Sequence, residues 1–284
     1  MVAPLRAVAV KRPEEALTDP SRIDREWKDL AWTRPPNPKI ASQEHHKLVS
    51  ILEAAGARVY LLPEDSRTTI DSLYAHDPVL TTYAGAVILQ TGKIARRGEG
   101  PAIGDALKRW SMPILGVIDG DATAEAGDMI WLDSTTLLVG RGFRTNQSGI
   151  DQLSLLLGPL GVRVIAVPLP YWDGPQDVLH LMSFMSLLDD NLAVVYRRLL
   201  PVPLYELLLS RGIELVDVPD EEYMTLGCNV LAVAPRQLVM VAGNPVTRSR
   251  LQSAGCAISE FEGTEICIPG AGGPTCLTRP LHRG

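Results

Sequence analysis

Asp77-Pro78-Val79-Leu80-Thr81-Thr82-Tyr83-Ala84-Gly85-Ala86-Val87-Ile88-Leu89-Gln90 is the stretch whose reading decides the fold. Two short apolar and β-branched runs, Val79–Thr82 and Ala86–Gln90, flank Tyr83-Ala84-Gly85, a spacing that predicts a β-hairpin opened by a polar residue, Asp77. The pattern recurs along the chain. Met129–Leu132 and Thr136–Val139 flank Asp133-Ser134 after Asp128. Leu181–Leu188 and Leu192–Tyr196 flank Asp189-Asp190-Asn191 after His180. Val230–Ala234 and Leu238–Val241 flank Pro235-Arg236-Gln237 after Asn229, and Cys276 opens a last run. Successive openers stand about fifty residues apart.

Helical stretches fill the intervals. They are expected at Ala41–Ala55, Pro101–Trp110, Ile150–Leu160, Pro203–Arg211 and Arg248–Ala254, several closed by a glycine. In the first, Leu48, Ile51, Leu52 and Ala55 make one apolar face, and the pair His45-His46 is expected to face solvent. A hairpin and a helix repeated at this period predict a closed cyclic array, in which the equivalent ends of each unit converge on the axis. Asp77, Asp128, His180, Asn229 and Cys276 would then face one another. No linker interrupts the rhythm, so residues 1–284 are read as a single α/β domain. Residues 11–40 fall outside it. They are charged and proline-rich (Arg34-Pro35-Pro36-Asn37-Pro38), which suits a surface loop or lid.

Composition narrows the function. A formal net charge of −6 and the lack of a basic run with interleaved aromatics argue against nucleic acid. No apolar stretch is long enough to span a bilayer, and Met1–Val10 is too short and interrupted for a secretory signal. The four cysteines, Cys228, Cys256, Cys267 and Cys276, show no C-x-x-C spacing, so no zinc site is expected. The expectation is a cytoplasmic protein with reduced thiols, no metal and no cofactor. Cys228, Cys256 and Cys267 lie in apolar surroundings and read as core thiols.

Cys276 differs. It ends Gly270-Ala271-Gly272-Gly273-Pro274-Thr275-Cys276, where glycines let the backbone adopt unusual conformations or approach a ligand and Pro274 stiffens the path to the thiol. A thiolate needs a base or a positive neighbour, and His180 titrates near neutrality. A carboxylate such as Glu125 would orient that imidazole. The further acids Asp77 and Asp128 suit a cationic substrate. Arg96 and Arg144 each follow a hairpin, and arginine is suited to bidentate recognition of a carboxylate.

These residues resemble a known group. The segments His76-Asp77-Pro78-Val79-Leu80, Arg96-Arg97-Gly98-Glu99, Glu125-Ala126-Gly127-Asp128, Arg144-Thr145-Asn146, Leu179-His180-Leu181 and Gly272-Gly273-Pro274-Thr275-Cys276-Leu277-Thr278 are similar in order and spacing to the guanidine-modifying pentein superfamily. Within it they look like dimethylarginine dimethylaminohydrolases and arginine deiminases. The resemblance runs from about Ala41 to Pro280. It implies a pentein fold, a five-bladed pseudosymmetric α/β propeller of ββαβ-type repeats. It also implies a cysteine hydrolase that cleaves a C–N bond of an arginine-like guanidine through a covalent thiouronium, giving a citrulline-like product.

By the same resemblance Cys276 is the nucleophile, His180 the acid and base, and Glu125 the residue that orients and charges His180. Asp77 would hydrogen-bond the guanidinium, Asp71 would reach the α-amino group, and Arg96 and Arg144 would bind the α-carboxylate. Asp128 and His76 complete the substrate-binding set. The implied partner is a small guanidino or ureido amino acid, and a homodimer stays open. Three positions depart from the pattern, because His76, Met182 and Ala271 stand where relatives carry carboxylates. His76 is either neutral and an acceptor, or protonated and hostile to a cation. Arginine dihydrolases and amidinotransferases share the thiouronium and are the alternatives within the class. A non-catalytic pentein used for binding is the alternative outside it.

Overall fold

The computed structural model describes residues 1–175 and 177–284. The chain opens with β1 (Leu5–Val10), followed by α1 (Pro13–Ala16), α2 (Pro20–Asp29), α3 (Pro38–Ala54) and β2 (Arg58–Leu61). Three ββαβ units follow in chain order. The first is β3 (Val79–Thr82), β4 (Gly85–Ile88), α4 (Glu99–Arg109) and β5 (Ile114–Val117). The second is β6 (Met129–Asp133), β7 (Thr136–Arg141), α5 (Gln147–Leu157) and β8 (Arg163–Pro168). The third is α6 (Leu181–Phe184) leading into β9 (Met185–Asp189), then β10 (Leu192–Val195), α7 (Val202–Ser210) and β11 (Glu214–Asp217). After a short α8 (Asp220–Tyr223), a fourth unit holds β12 (Leu231–Ala234), β13 (Gln237–Val241), α9 (Pro245–Ser253) and β14 (Ala257–Phe261). The chain ends in β15 (Thr278–Arg283).

Each unit makes its own three-stranded sheet, and the described residues form five such sheets. Within a sheet the hairpin is antiparallel and the helix returns the chain to a strand parallel to the hairpin's second member, as β4 pairs with β5 and β7 with β8. The fifth sheet is assembled from both ends of the chain. β15 lies antiparallel to β1, and β1 lies parallel to β2 with α3 as the crossover. The run that begins after Cys276 is therefore completed by the N-terminus, which closes the five-bladed propeller. First strands of neighbouring blades touch, β15 with β3, β6 with β9 and β9 with β12. The residue that opens each blade is thereby delivered to one central region.

Most expected elements are present with shifted ends. Two readings change. Leu181–Leu188 is not one strand, because its first four residues form the turn α6, in which the Ser183 hydroxyl accepts from the His180 N–H at 2.9 Å. Residues 11–40 are not a loop, for they hold α1, α2 and the start of α3. Asp19 caps α2 through the Ser21 N–H, and Asn37 caps α3 through Lys39 and Ile40, each followed by a proline at the first helical position. The end of this segment does reach the centre: Leu30, Ala31 and Thr33 line the central cavity.

The core is divided among the blades. One apolar cluster contains Phe184, Leu188 and Val194 of the third blade with Met240 of the fourth, and another contains Val8, Leu48, Leu52 and Phe261. Every large side chain in these clusters is nearly inaccessible, and burying one stabilises the fold by about 1.5–3 kcal/mol. No helix among the described residues is long and apolar enough to cross a membrane.

Candidate active site

Four of the five openers, Asp77, His180, Asn229 and Cys276, line a cavity of about 250 Å³, and the fifth, Asp128, is buried and bonded to the Leu181 N–H next to His180. The cysteine is placed by a tight loop. Asn229 Nδ2 donates to Cys276 Sγ at 3.1 Å while its Oδ1 accepts from the Thr275 N–H at 3.0 Å, so one side chain fixes both the thiol and the backbone before it. The His76 N–H donates to the Cys276 carbonyl at 3.1 Å, which ties the fifth blade to the first. The glycines of this loop serve close approach. A Cβ on Gly273 would meet Asn229 Oδ1 at 2.6 Å, and one on Gly272 would overlap the Tyr74 ring. The left-handed backbone falls instead on Ala271, at φ 56°.

The pair formed by His180 and Glu125 is equally well held. His180 Nε2 and Glu125 Oε2 lie 2.6 Å apart, and both residues are buried. The other Glu125 oxygen accepts from the Lys93 N–H at 3.2 Å and has Arg144 Nη1 at 3.8 Å. With Nε2 engaged, Nδ1 is the ring nitrogen that can exchange a proton with a ligand. Gly127 makes room for it, since a Cβ there would collide with Nδ1. Asp128 acts on the same histidine through its charge: its Oδ1 accepts from the Leu181 N–H at 3.0 Å and its Oδ2 from Thr145 Oγ1 at 2.6 Å.

These surroundings decide the charges. Burial alone would lower the His180 pKa, but Asp77, Asp128 and Glu125 together outweigh it and hold the imidazolium up to about 9. Burial would raise Glu125, and the hydrogen bond and charge of His180 bring it below its ordinary value. Burial raises Asp128 to about 7. The Cys276 thiol is pushed up to about 11, first by burial and then by the Asp77 charge, against the Asn229 amide that favours the thiolate. Its surface opens on the cavity, but protein packs around it on the remaining sides.

Asp77 and Arg96 form a closed pair. Arg96 Nη1 donates to Asp77 Oδ2 at 2.6 Å, its Nε and Nη2 bind Glu99 at 2.9 and 2.8 Å, and Nη2 also reaches the Tyr74 carbonyl at 3.0 Å. The guanidinium is thus committed to carboxylates of the protein, where the resemblance implied a ligand carboxylate. Arg144 is less occupied: among the described residues its polar side-chain contacts are 3.4 Å to the Asp177 carbonyl and 3.8 Å to Glu125. Asp71 accepts from Trp32 Nε1 and from Lys93 Nζ, both at 2.7 Å.

The fully buried His76 resolves the two alternatives of the sequence. Its Nδ1 lies 2.9 Å from the Thr278 carbonyl, which can only accept, so Nδ1 carries the proton. Burial and then the Arg279 charge lower its pKa to about 3, and the ring is neutral. Its Nε2 has no partner among the described residues. Met182 and Ala271 also line the cavity, so all three departures belong to its lining.

Comparison with known proteins shows the family. The family model described as N,N dimethylarginine dimethylhydrolase, eukaryotic, matches residues 12–283. The chain belongs to this family. It is 31% identical over 217 residues to the N(G),N(G)-dimethylarginine dimethylaminohydrolase of Streptomyces coelicolor, covering 75% of each chain. It is 27% identical over 225 residues to that of Pseudomonas aeruginosa, covering 79% of this chain and 82% of the relative. The solved structure of the Pseudomonas aeruginosa enzyme complexed with citrulline superposes with a TM-score of 0.80 at 24% identity, over 98% of this chain and 100% of that one. The closed cyclic array expected from the fifty-residue period is observed, and it is the pentein propeller that the resemblance implied.

As a member of the dimethylargininase family the chain carries features its motifs did not announce. Asn229 is in phase with the other openers, but its bond to the thiol was not legible without the loop geometry. Lys93 lies between two recognised segments and has no motif of its own. Asp77, Glu125 and His180 also present ligand atoms within 4.8 Å of one another, close enough for a metal ion. Their atoms fit the hydrogen-bond network better, because a charged imidazole has no lone pair to give.

Proposed function

We propose that Cys276 carries out hydrolysis of a C–N bond in the guanidine of an arginine-like amino acid, N-methylated or not, giving citrulline and an amine or ammonia. The family consists of hydrolases acting on linear amidines, and cysteine-dependent guanidine hydrolysis is the chemistry this chain performs. The observation that carries the residue assignment is the convergence of Cys276, held by Asn229, and His180, held by Glu125, on one cavity.

In the first half-reaction Cys276 Sγ, as thiolate, attacks the central guanidino carbon and a C–S bond forms. His180 Nδ1 gives its proton to the leaving nitrogen, the C–N bond breaks, and the amine departs from a thiouronium. His180, now neutral, takes a proton from water as the oxygen attacks the same carbon. The C–S bond then breaks, the remaining hydroxyl proton passes to solvent, the thiolate returns and the neutral ureido product leaves. A charged His180 at neutral pH is the form the first step needs. The thiol is neutral when alone, and a guanidinium beside it favours the thiolate, so the substrate supplies the charge that activates its own nucleophile.

Asp77, with one oxygen on the Gly127 N–H and the other on Arg96, would face the guanidinium. We assign Arg144 to the substrate carboxylate and give Arg96 the task of holding Asp77 in place. Asp128 supports His180, and the neutral His76 offers an acceptor in place of a carboxylate. We place the reaction in the cytoplasm, consistent with four free cysteines, and treat residues 1–284 as one catalytic domain.

The assay is direct. Arginine, its N-methylated forms, citrulline and agmatine are each incubated with the protein, and release of ammonia or amine is followed. Turnover of a guanidine that disappears in Cys276→Ser and survives chelators is the expected result. No turnover on any of them, with Cys276 also inert to a haloacetamidine, would overturn the reading. Agmatine preferred over arginine would remove the carboxylate role of Arg144.

A further inference from the structure

The cavity wall holds one ammonium that the proposed chemistry leaves unused. Lys93 Nζ donates to Asp71 Oδ2 at 2.7 Å and to the Leu30 carbonyl at 2.6 Å. Asp71 is buried, and its second oxygen already accepts from Trp32 Nε1. Three acids line the cavity, Asp71, Asp77 and Asp177. Asp77 is closed by Arg96 and the Gly127 N–H. Lys93 therefore neutralises the remaining buried carboxylate, together with a neighbouring carbonyl. Those two acceptors, at this spacing, are what a ligand's ammonium group would require.

We propose that Lys93 is a specificity-determining residue whose ammonium holds the acceptors that the α-ammonium of the substrate would otherwise take. The inference rests on the reading of the cavity as a guanidino amino acid site. A substrate ammonium can reach Asp71 only by displacing Lys93, which exchanges one ammonium–carboxylate contact for another and gains little. The guanidine end and the carboxylate end then dominate binding, the latter through Arg144. An arginine-like substrate and its analogue without the amino group are bound almost equally. Removing the Lys93 ammonium leaves Asp71 Oδ2 and Leu30 O without their close donor, Arg96 Nε being 3.9 Å from Oδ2, and a substrate ammonium that fills them gains a charge-assisted interaction. The backbone N–H of Lys93, which serves Glu125, is unaffected by a change of side chain.

The test pairs two measurements. Turnover of L-arginine is compared with that of 5-guanidinopentanoate, in the wild type, in Lys93→Met and in Lys93→Arg. Binding of L-citrulline is compared with that of 5-ureidopentanoate by calorimetry, in a Cys276→Ser background with and without Lys93→Met. The wild type is expected to treat each pair within a few-fold, and Lys93→Met to raise the preference for the amino-bearing member about tenfold. Lys93→Arg keeps the charge and the weak preference, which a merely structural role for the side chain would not produce. An active protein whose preference does not change in Lys93→Met overturns the assignment, as does a wild type that already prefers the amino form tenfold. A loss of preference in Asp177→Asn, with none gained in Lys93→Met, assigns the ammonium to Asp177 and overturns it too. If no member of either pair is turned over or bound by any variant, the guanidino amino acid reading falls as well, a result distinct from the others.

Discussion

His180 at the centre of the propeller and His45 on α3 are both buried, at 6% and 1% exposure, yet their surroundings pull them in opposite directions. His180 is encircled by Asp77, Asp128 and Glu125 and is held charged up to about 9. His45 packs beneath α1, its Nε2 has no partner among the described residues, and burial lowers it to about 4 although Glu14 pulls the other way. The same side chain is held charged in one place and neutral in the other. Burial sets the cost of the charge, and the neighbouring carboxylates decide whether the charge is kept. His76, at the same cavity, follows His45, because burial and then the Arg279 charge oppose a proton there.

The strongest way to break the contrast is to take a carboxylate from His180. Glu125→Gln keeps the shape of the 2.6 Å contact and removes its charge. The His180 pKa, raised in the folded protein, then falls toward its ordinary value. The imidazolium is present below that pKa, so the basic limb of the kcat/KM profile moves to lower pH. The rate at neutral pH drops by about a hundredfold or more, since the acid is both less populated and less well oriented. A basic limb that stays in place would show that His180 is not the group titrating.

A second variant probes the thiol side of the same centre. Asn229→Ala removes the donor at 3.1 Å from Sγ and the acceptor for the Thr275 N–H. The thiolate loses a hydrogen bond, and its pKa rises by about one unit beyond a value that is already high. Alkylation of Cys276 by iodoacetamide measured against pH reads this directly: the curve moves to higher pH, and the rate at pH 8 falls about tenfold. An unchanged curve would mean that Asn229 positions the loop without acting on the sulfur.

Much of this architecture could be read from the chain because its repeat is written locally. The hairpins, helices and openers lie within each unit of about fifty residues, and a closed array makes the openers converge without any long-range information. What failed to show was of two kinds. Some signals were present but outweighed: Asp19-Pro20 and Asn37-Pro38 are helix starts inside a segment whose prolines suggested a loop. Ala41, His45, Leu48 and Leu52 share the helix stripe that puts His45 inside, though its polarity suggested solvent. Other features are products of the tertiary fold. That Arg96 is closed by Asp77 and Glu99, and that Lys93 answers Asp71 and Leu30, depends on which loops meet in space. An arginine or lysine in the sequence carries no mark of the partner it will find.

The smallest expected effect tests the outer half of the comparison. His45 folds neutral, so its stabilising contribution is fully present above its unfolded pKa near 6.5 and is lost as pH falls toward about 4. Between pH 7 and 5.5 the unfolded chain takes up a proton at this position that the folded chain refuses, which costs the native state about 1 kcal/mol. His45→Phe removes the titration and leaves a buried side chain. Whatever constant amount the new ring adds or subtracts, its urea midpoint should decline less steeply over this interval than that of the wild type. His76 stays in place and keeps part of the slope, since its folded pKa of about 3 obliges it to lose stability in the same direction. His180 bends the curve the other way at higher pH: its raised pKa gives stability that is full below pH 6.5 and lost through about 9. Parallel curves for wild type and His45→Phe would mean that His45 is charged inside the fold, and that burial alone does not keep an imidazole neutral at this site.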